Sequence, residues 1–204
     1  ILLIEKDKKL ANYWSQQNWT VFCEDALKLN WSYLPKKFTL FGNLPYEIAS
    51  SLIVKISTEE QKQFSSMFFL LQKEVAERVK APANSKNYGL LSVLAQSFWS
   101  ISTFFSISKN DFYPVPKVEG QFLEFTAKKL SHSISPYLFL KFVKGCFQFK
   151  RKMLFKQLNV SSAKAILKSL GLKPTCRAEN LDSQAFLQLY MKIKAENLDF
   201  GREY

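Results

Sequence analysis

The sequence predicts an α/β domain built on a mainly parallel sheet, followed by a smaller all-helical region. Three observations carry this reading. Over the first 127 or so residues, short apolar runs alternate with amphipathic segments, the pattern of a sheet with helices on both faces. Near Lys128 the chemistry changes: Lys141, Lys144, Lys150, Arg151, Lys152, Lys156, Lys164, Lys168, Lys173 and Arg177 all fall between 131 and 177, a stretch with no Asp or Glu. Finally, 204 residues that are 47% hydrophobic, with 19 Phe, suffice for one large domain or a medium domain with an appendage, and argue against disorder.

In chain order, residues 1–4, 20–23, 38–41 and 67–71 read as buried strands, rich in β-branched or aromatic side chains. Between them, 7–17, 47–56 and 73–80 have helical composition or 3.6-residue periodicity, and 90–99 reads as a further helix. Residues 102–108 and 120–126 read as strands joined by a Pro-containing loop, an antiparallel hairpin that ends the sheet. Residues 138–158 project as one amphipathic helix. Lys141, Lys144, Arg151, Lys152 and Lys156 lie on one side, and Phe139, Phe142, Val143, Cys146, Phe149 and Met153 on the other. Gly171, Pro174 and an apolar pattern over 181–193 complete the second region. The division therefore falls at 1–128 and 129–204.

Composition narrows the function. A formal net charge of +12 points to a polyanionic partner, nucleic acid before an anionic membrane surface. No apolar run approaches the roughly 18 residues that span a bilayer, and no signal-peptide pattern is present. Cys23, Cys146 and Cys176 are odd in number and far apart, so reduced thiols in a cytoplasmic protein are expected. The lone His132 lies in a Ser-rich stretch and supports neither metal binding nor Ser–His catalysis.

Chemistry concentrates where strands end, as ligands do in open α/β sheets. Gly42-Asn43-Leu44-Pro45-Tyr46 follows the strand at 38–41. The Asn43 side-chain oxygen and the Leu44 backbone carbonyl can accept N–H bonds from an exocyclic amine. Pro45 fixes its own φ and removes a competing donor, and Tyr46 offers a ring on which an extruded base can stack. The same residues also suit an ordinary strand-to-loop turn. Glu5 and Asp25 follow the first two strands, where each can accept hydrogen bonds from a nucleoside or cap the following turn. Phe112, in Asp111-Phe112-Tyr113-Pro114-Val115-Pro116, is either a second base-clamping ring or a plug beneath its loop.

Seven stretches in order carry a resemblance: 42–46, Leu71-Gln72-Lys73-Glu74-Val75-Ala76-Glu77-Arg78, Asn84-Ser85-Lys86-Asn87-Tyr88-Gly89, Leu91-Ser92-Val93, Phe112-Tyr113-Pro114-Val115-Pro116-Lys117-Val118, Lys150-Arg151-Lys152 and Arg177-Ala178-Glu179-Asn180-Leu181. Together they resemble the KsgA (RsmA) family of small-subunit rRNA adenine dimethyltransferases. The resemblance implies a Rossmann-like, S-adenosylmethionine-dependent methyltransferase domain followed by a helical domain. Its substrate would be two adjacent adenosines in the 3′-terminal hairpin of 16S rRNA, within a pre-assembled small subunit. Glu5, Asp25 with Ala26, and Asn43 would hold the cofactor; Asn43 through Tyr46 the target amine; Tyr46 and Phe112 the base. Lys141, Lys144, Lys150, Arg151, Lys152 and Lys156 would contact rRNA, with the protein acting as a monomer and without metal.

The family's opening strand and Gly-rich turn have no counterpart among the six glycines here. The chain is therefore expected to be a piece of a longer protein, with unpaired edges on the strands at 1–4 and 38–41. Alternatives are the large-subunit adenine methyltransferase of macrolide resistance, a DNA adenine methyltransferase, and a non-catalytic RNA-binding assembly factor.

Overall fold

The computed structural model describes residues 1–34, 37–60, 63–116, 118–130, 134–149, 151–158 and 160–196, apart from the side chains of Tyr46 and Glu60. Strands β1 (Leu2–Ile4) and β2 (Thr20–Phe22) flank helix α1 (Lys8–Gln16) and pair in parallel. Helix α1 starts where it does because Asp7 accepts from the Lys9 and Leu10 N–H groups, satisfying two of the free first-turn donors.

A second sheet has the order β3-β4-β6-β5, formed by β3 (Phe38–Asn43), β4 (Phe64–Gln72), β5 (Trp99–Ile107) and β6 (Gly120–Ala127). β3 and β4 are parallel, while β6 runs antiparallel to both β4 and β5. Helices α2 (Tyr46–Lys55), α3 (Lys73–Lys80) and α4 (Leu90–Phe98) connect these strands. Among the described residues no strand joins β1 to β3.

Strand alternation explains which side of this sheet is packed. Met67, Phe69, Leu71, Leu123 and Phe125 point into the core and are buried. Where the sequence predicts helices on both faces, the other face is open: Phe41 stacks on Phe68 at 4.9 Å and Phe105 on Phe122 at 5.0 Å, with Phe41, Phe104 and Phe105 exposed.

β3 runs two residues further than the apolar run suggests. Gly42 and Asn43 still pair with Phe69 and Leu70 of β4, so Asn43 is the last residue of the strand.

The core continues without interruption into α5 (Pro136–Cys146), α6 (Ala163–Ser169) and α7 (Ser183–Ala195). Phe98 meets Phe139 edge-on at 5.8 Å, and Phe139 meets Tyr190 at 5.4 Å. α5 begins at a Ser135 cap with Pro136 in its first turn, and α7 at an Asp182 cap.

The single helix predicted over 138–158 is not formed. α5 ends at Cys146, a turn follows, and a short 3₁₀ segment occupies Leu154–Lys156. The apolar period continues through Phe149 and Met153, but a distant contact overrides it. The Leu154 N–H donates to the Cys176 carbonyl at 2.8 Å, drawing fully buried Leu154 into the core. Phe149 consequently projects to solvent, 47% exposed, instead of lining an apolar helix back.

Two sequence stretches roughly ninety residues apart meet. The Tyr88 hydroxyl donates to the Leu181 carbonyl at 2.7 Å. The Asn84 N–H donates to Glu179 O at 2.8 Å, and Asn180 Nδ2 to Asn84 Oδ1 at 2.7 Å. Burial, with Asp182 nearby, pushes the Tyr88 hydroxyl well above its ordinary value of 10.0.

Tyr88→Phe leaves the buried Leu181 carbonyl unpaired, and unfolding free energy falls by about 1–3 kcal/mol. The titration adds a sign. Unfolded tyrosine loses its proton above about pH 10 while buried Tyr88 keeps it, so folded stability declines from there upward. Denaturant unfolding at neutral and alkaline pH checks both effects, the Phe variant showing the shallower alkaline decline. Identical midpoints for the two proteins at both pH values would refute this role.

Candidate active site

The end of β3 sets the geometry of the first group. Leu44 N–H extends the pairing by donating to Leu70 O at 3.3 Å. Pro45 then caps α2 by position alone, at φ −54° and ψ 137°, with no side-chain bond. The first helical donors, Ile48 N and Ala49 N, both go to Pro45 O, so the carbonyl of Leu44 stays outside the helix's hydrogen-bond ladder. Asn43 is exposed at the strand tip, while Leu44 is buried and anchors the turn.

Gly42 lets Leu44 and Phe69 pack close against the strand end. A Cβ there would lie 2.8 Å from Leu44 Cδ2 and 3.2 Å from Phe69 Cδ1. Tyr46 opens α2, and its side chain lies outside the described residues.

Asn43 and Phe112 line one small cavity of about 20 Å³, together with Leu70, Leu71, Gln72, Val118, Glu119 and Gly120. Of the two readings of Phe112, this placement brings the ring to the side of Asn43. The ring packs beside Gly120, where a Cβ would stand in ordinary contact with Phe112 Cζ at 3.5 Å and more tightly against Leu70 Cδ1 at 3.0 Å. At the rim, Lys73 Nζ pairs with Glu119 Oε2 at 2.8 Å, and the Lys73 N–H donates to the Glu119 carbonyl. Each raises the other's preference for its charged form, so Lys73 is shifted up and Glu119 down.

Sequence reasoning missed Gln72, Glu119 and Gly120 as neighbours of Asn43. Gln72 lies within one of the seven stretches singled out above, which was the available signal. For Glu119 no signal exists, because its place depends on the β4–β6 register.

Glu5 and Asp25 follow the carboxyl ends of adjacent parallel strands. Glu5 is half-buried. Its N–H donates to Phe22 O, and Oε1 accepts from Asp7 N–H at 2.7 Å. Its other oxygen accepts no hydrogen bond among the described residues. Asp25 Oδ1 takes the Leu27 N–H at 2.9 Å, and Oδ2 faces Lys6 Nζ at 3.4 Å. The Leu27 hydrogen bond, with Lys6 beside it, holds the Asp25 carboxyl below the ordinary range. Ala26 offers its carbonyl to Trp31 Nε1 at 3.2 Å. The capping reading holds for the turn after each strand: Glu5 takes the Asp7 N–H and Asp25 the Leu27 N–H, while Asp7 caps α1 itself.

In the second region Lys141, Lys144, Arg151, Lys152 and Lys156 are all exposed; Lys150 lies outside the described residues. The structure separates them into two groups, Lys141 and Lys144 on α5 and the others on the turn and 3₁₀ segment beyond it. They do not share one helix face as the sequence predicts.

A larger cleft of about 790 Å³ lies away from Asn43, lined by residues of α2, α3, α4 and α5, including Lys55, Glu74 and Arg78. Among the described residues no group of three or more His, Cys, Asp or Glu could hold a metal, and no helix is long and apolar enough to cross a membrane.

Carboxylates following β1 and β2, and an Asn-Leu-Pro turn at the end of β3, are an arrangement that suits a Rossmann-like methyltransferase acting on an amine. Solved structures share this fold. A dimethyladenosine transferase from Plasmodium falciparum superimposes with a TM-score of 0.79 at 22% identity, covering 98% of this chain and 84% of that one. The 23S rRNA methyltransferase ErmE does so at 0.66 and 20% identity, covering 95% and 81%.

The chain belongs to the family described as ribosomal RNA adenine dimethylase, whose sequence model matches residues 1–195. A ribosomal RNA small subunit methyltransferase A from Bdellovibrio bacteriovorus is 39% identical over 199 residues, spanning 92% of this chain and 72% of that protein. The family uses S-adenosylmethionine as methyl donor, and this chain is one of its rRNA adenine dimethyltransferases.

Proposed function

We infer that this protein dimethylates N6 of two adjacent adenosines in the 3′-terminal hairpin of 16S rRNA, during maturation of the small ribosomal subunit. The observation that carries the amine chemistry is the strand-end turn, and the small-subunit target is supported by the sequence relatives. Asn43 is held at the tip of β3 beside Phe112, and the Leu44 carbonyl is left out of α2's ladder. Two acceptors are thus presented by a backbone already fixed by strand pairing on one side and a helix on the other.

Adenine N6 is a poor nucleophile because its lone pair is delocalised into the ring. Hydrogen bonds from N6–H to Asn43 Oδ1 and to Leu44 O draw that lone pair onto nitrogen. They also spread the positive charge that develops during attack. Tyr46 and Phe112 take the extruded base between them. No strong base is required, since N6 becomes acidic only once it has attacked.

Bound S-adenosylmethionine supplies an electrophilic methyl carbon on a sulfonium. Glu5 fits its ribose through the carboxylate oxygen left uncommitted. Asp25 and Ala26 would hold the adenine end, and Asn43 would contact the cofactor as well as the substrate amine. Holding amine and methyl in line accounts for most of the rate enhancement.

Residues 1–128 carry the transfer chemistry and 129–204 grip rRNA through Lys141, Lys144, Lys150, Arg151, Lys152 and Lys156. The protein works as a monomer in the cytoplasm, where subunits mature. A large-subunit target is less well supported: the small-subunit enzyme is a relative in sequence, whereas the large-subunit enzyme shares the fold alone.

Methyl transfer from labelled S-adenosylmethionine decides between the readings. Pre-assembled small subunits lacking the modification accept two methyl groups on each of two neighbouring adenosines. Large subunits and duplex DNA accept none. Transfer to large subunits instead would overturn the assignment, as would an intact protein that binds rRNA without transferring methyl groups.

A further inference from the structure

From the same surface, and resting on the rRNA-binding reading of it, we propose that Phe149 is a stacking platform for an unpaired rRNA base. Arg151 and Lys152 would take the adjoining phosphates. The partner is thus looped or bulged RNA rather than duplex.

Four cation–ring contacts occur among the described residues, and all fall between 137 and 164. Lys141 Nζ lies 4.9 Å from the Tyr137 ring and Lys152 Nζ 4.2 Å from Phe149. Lys156 and Lys164 lie 5.9 and 4.6 Å from Phe155. Such pairs ordinarily occur about once in 70–80 residues, so four in this short stretch is a concentration. The stretch 131–177 contains no acid to neutralise these cations.

Phe149 is placed in solvent by the structure itself. The amphipathic period assigns it to the buried side, yet the end of α5 at Cys146 turns it outward, 47% exposed. The turn that carries it is fixed. Phe149 N–H donates to Gln157 Oε1 at 3.1 Å, Gln157 Nε2 to the Lys152 carbonyl at 3.3 Å, and Lys152 N–H to the Phe149 carbonyl at 2.9 Å. An apolar ring displayed on a pinned turn, with an ammonium over it, matches a nucleotide in two parts. The ring meets the face of a base, and the cations meet its phosphates. A duplex hides base faces within its stack and has no use for the ring.

Along α5, Tyr137, Lys141 and Lys144 stand at i, i+4 and i+7 and lead toward that turn. Tyr137 is also exposed. The ring and cation arrangement therefore repeats along α5 toward the turn.

The test compares intact wild-type protein with Phe149→Leu, Phe149→Trp and Lys152→Gln. Each is titrated with a fluorescein-labelled RNA hairpin bearing an unpaired loop, and with a blunt RNA duplex of equal length. Phe149→Leu loses roughly 5- to 100-fold in hairpin affinity with unchanged duplex affinity and an unchanged salt slope, while Phe149→Trp retains hairpin binding. Thermal unfolding of the Leu variant matches wild type, because the ring contributes little to the core. Unchanged hairpin affinity in Phe149→Leu, or an equal loss on duplex, overturns the stacking role. If Lys152→Gln flattens the salt dependence while Phe149→Leu has no effect, stacking alone fails. If neither substitution weakens either RNA, the rRNA-binding reading of this surface fails with it.

Discussion

Asn43→Ala lowers the rate of methyl transfer by roughly 10²–10³, the usual cost of losing one preorganised group that stabilises developing charge. Binding of the intact enzyme to pre-assembled small subunits stays close to wild type. The asymmetry follows from where Asn43 stands. It is exposed at the tip of β3, so its removal opens no cavity. Its backbone remains paired with Leu70 of β4, so the turn into α2 keeps its course. What is lost is one of two acceptors for the amine, with the Leu44 carbonyl still in place. Single-turnover transfer and subunit binding, measured side by side, separate the two effects. Near-normal turnover in the mutant would remove Asn43 from the chemistry.

Replacing Arg151, Lys152 and Lys156 together with Gln weakens binding to the small subunit and flattens its salt dependence. Each lost phosphate contact takes roughly 0.7–0.9 from the slope of log affinity against log salt, so three take about two units. The fold is retained, since all three side chains are exposed and such charges contribute little to stability. The structure changes the reason these residues act together. They do not align on one helix. They cluster where the chain turns after α5 and re-enters the core at Leu154. An unchanged slope would mark this face as ordinary solvated surface.

Elements whose ends are written locally were legible in the sequence. Pro45 marks the turn between β3 and α2, and α3 spans Lys73–Lys80 as its pattern predicts. The helix read from Asp7 is present with Asp7 as its cap, whereas the caps Ser135 and Asp182 were not read from the sequence. Candidates for the site were legible too, because Asn43, Glu5 and Asp25 close their strands. What failed was decided mainly at long range. Gly145 weakens the helix locally at the end of α5, and the bond from Leu154 to Cys176, twenty-two positions away, draws the chain out of helical continuation. The meeting of Asn43 with Phe112 likewise depends on how β4 registers against β6.

Hydrogen bonds join residues 84–88 to 179–181, next to the starts of α4 and α7, and one core runs beneath both halves. If Asn43 and Leu44 accept the amine and the cations beyond α5 grip rRNA, as proposed, the two stand at a fixed reach and the molecule would behave as a caliper. An RNA seated on the cations offers to the acceptors only the nucleotides lying at that span. On that reading, selection of two neighbouring adenosines would depend on distance along the folded RNA as much as on base identity. Lengthening the stem between the gripped segment and the target loop by one base pair would carry the target amines past the jaw, while leaving the grip itself undisturbed.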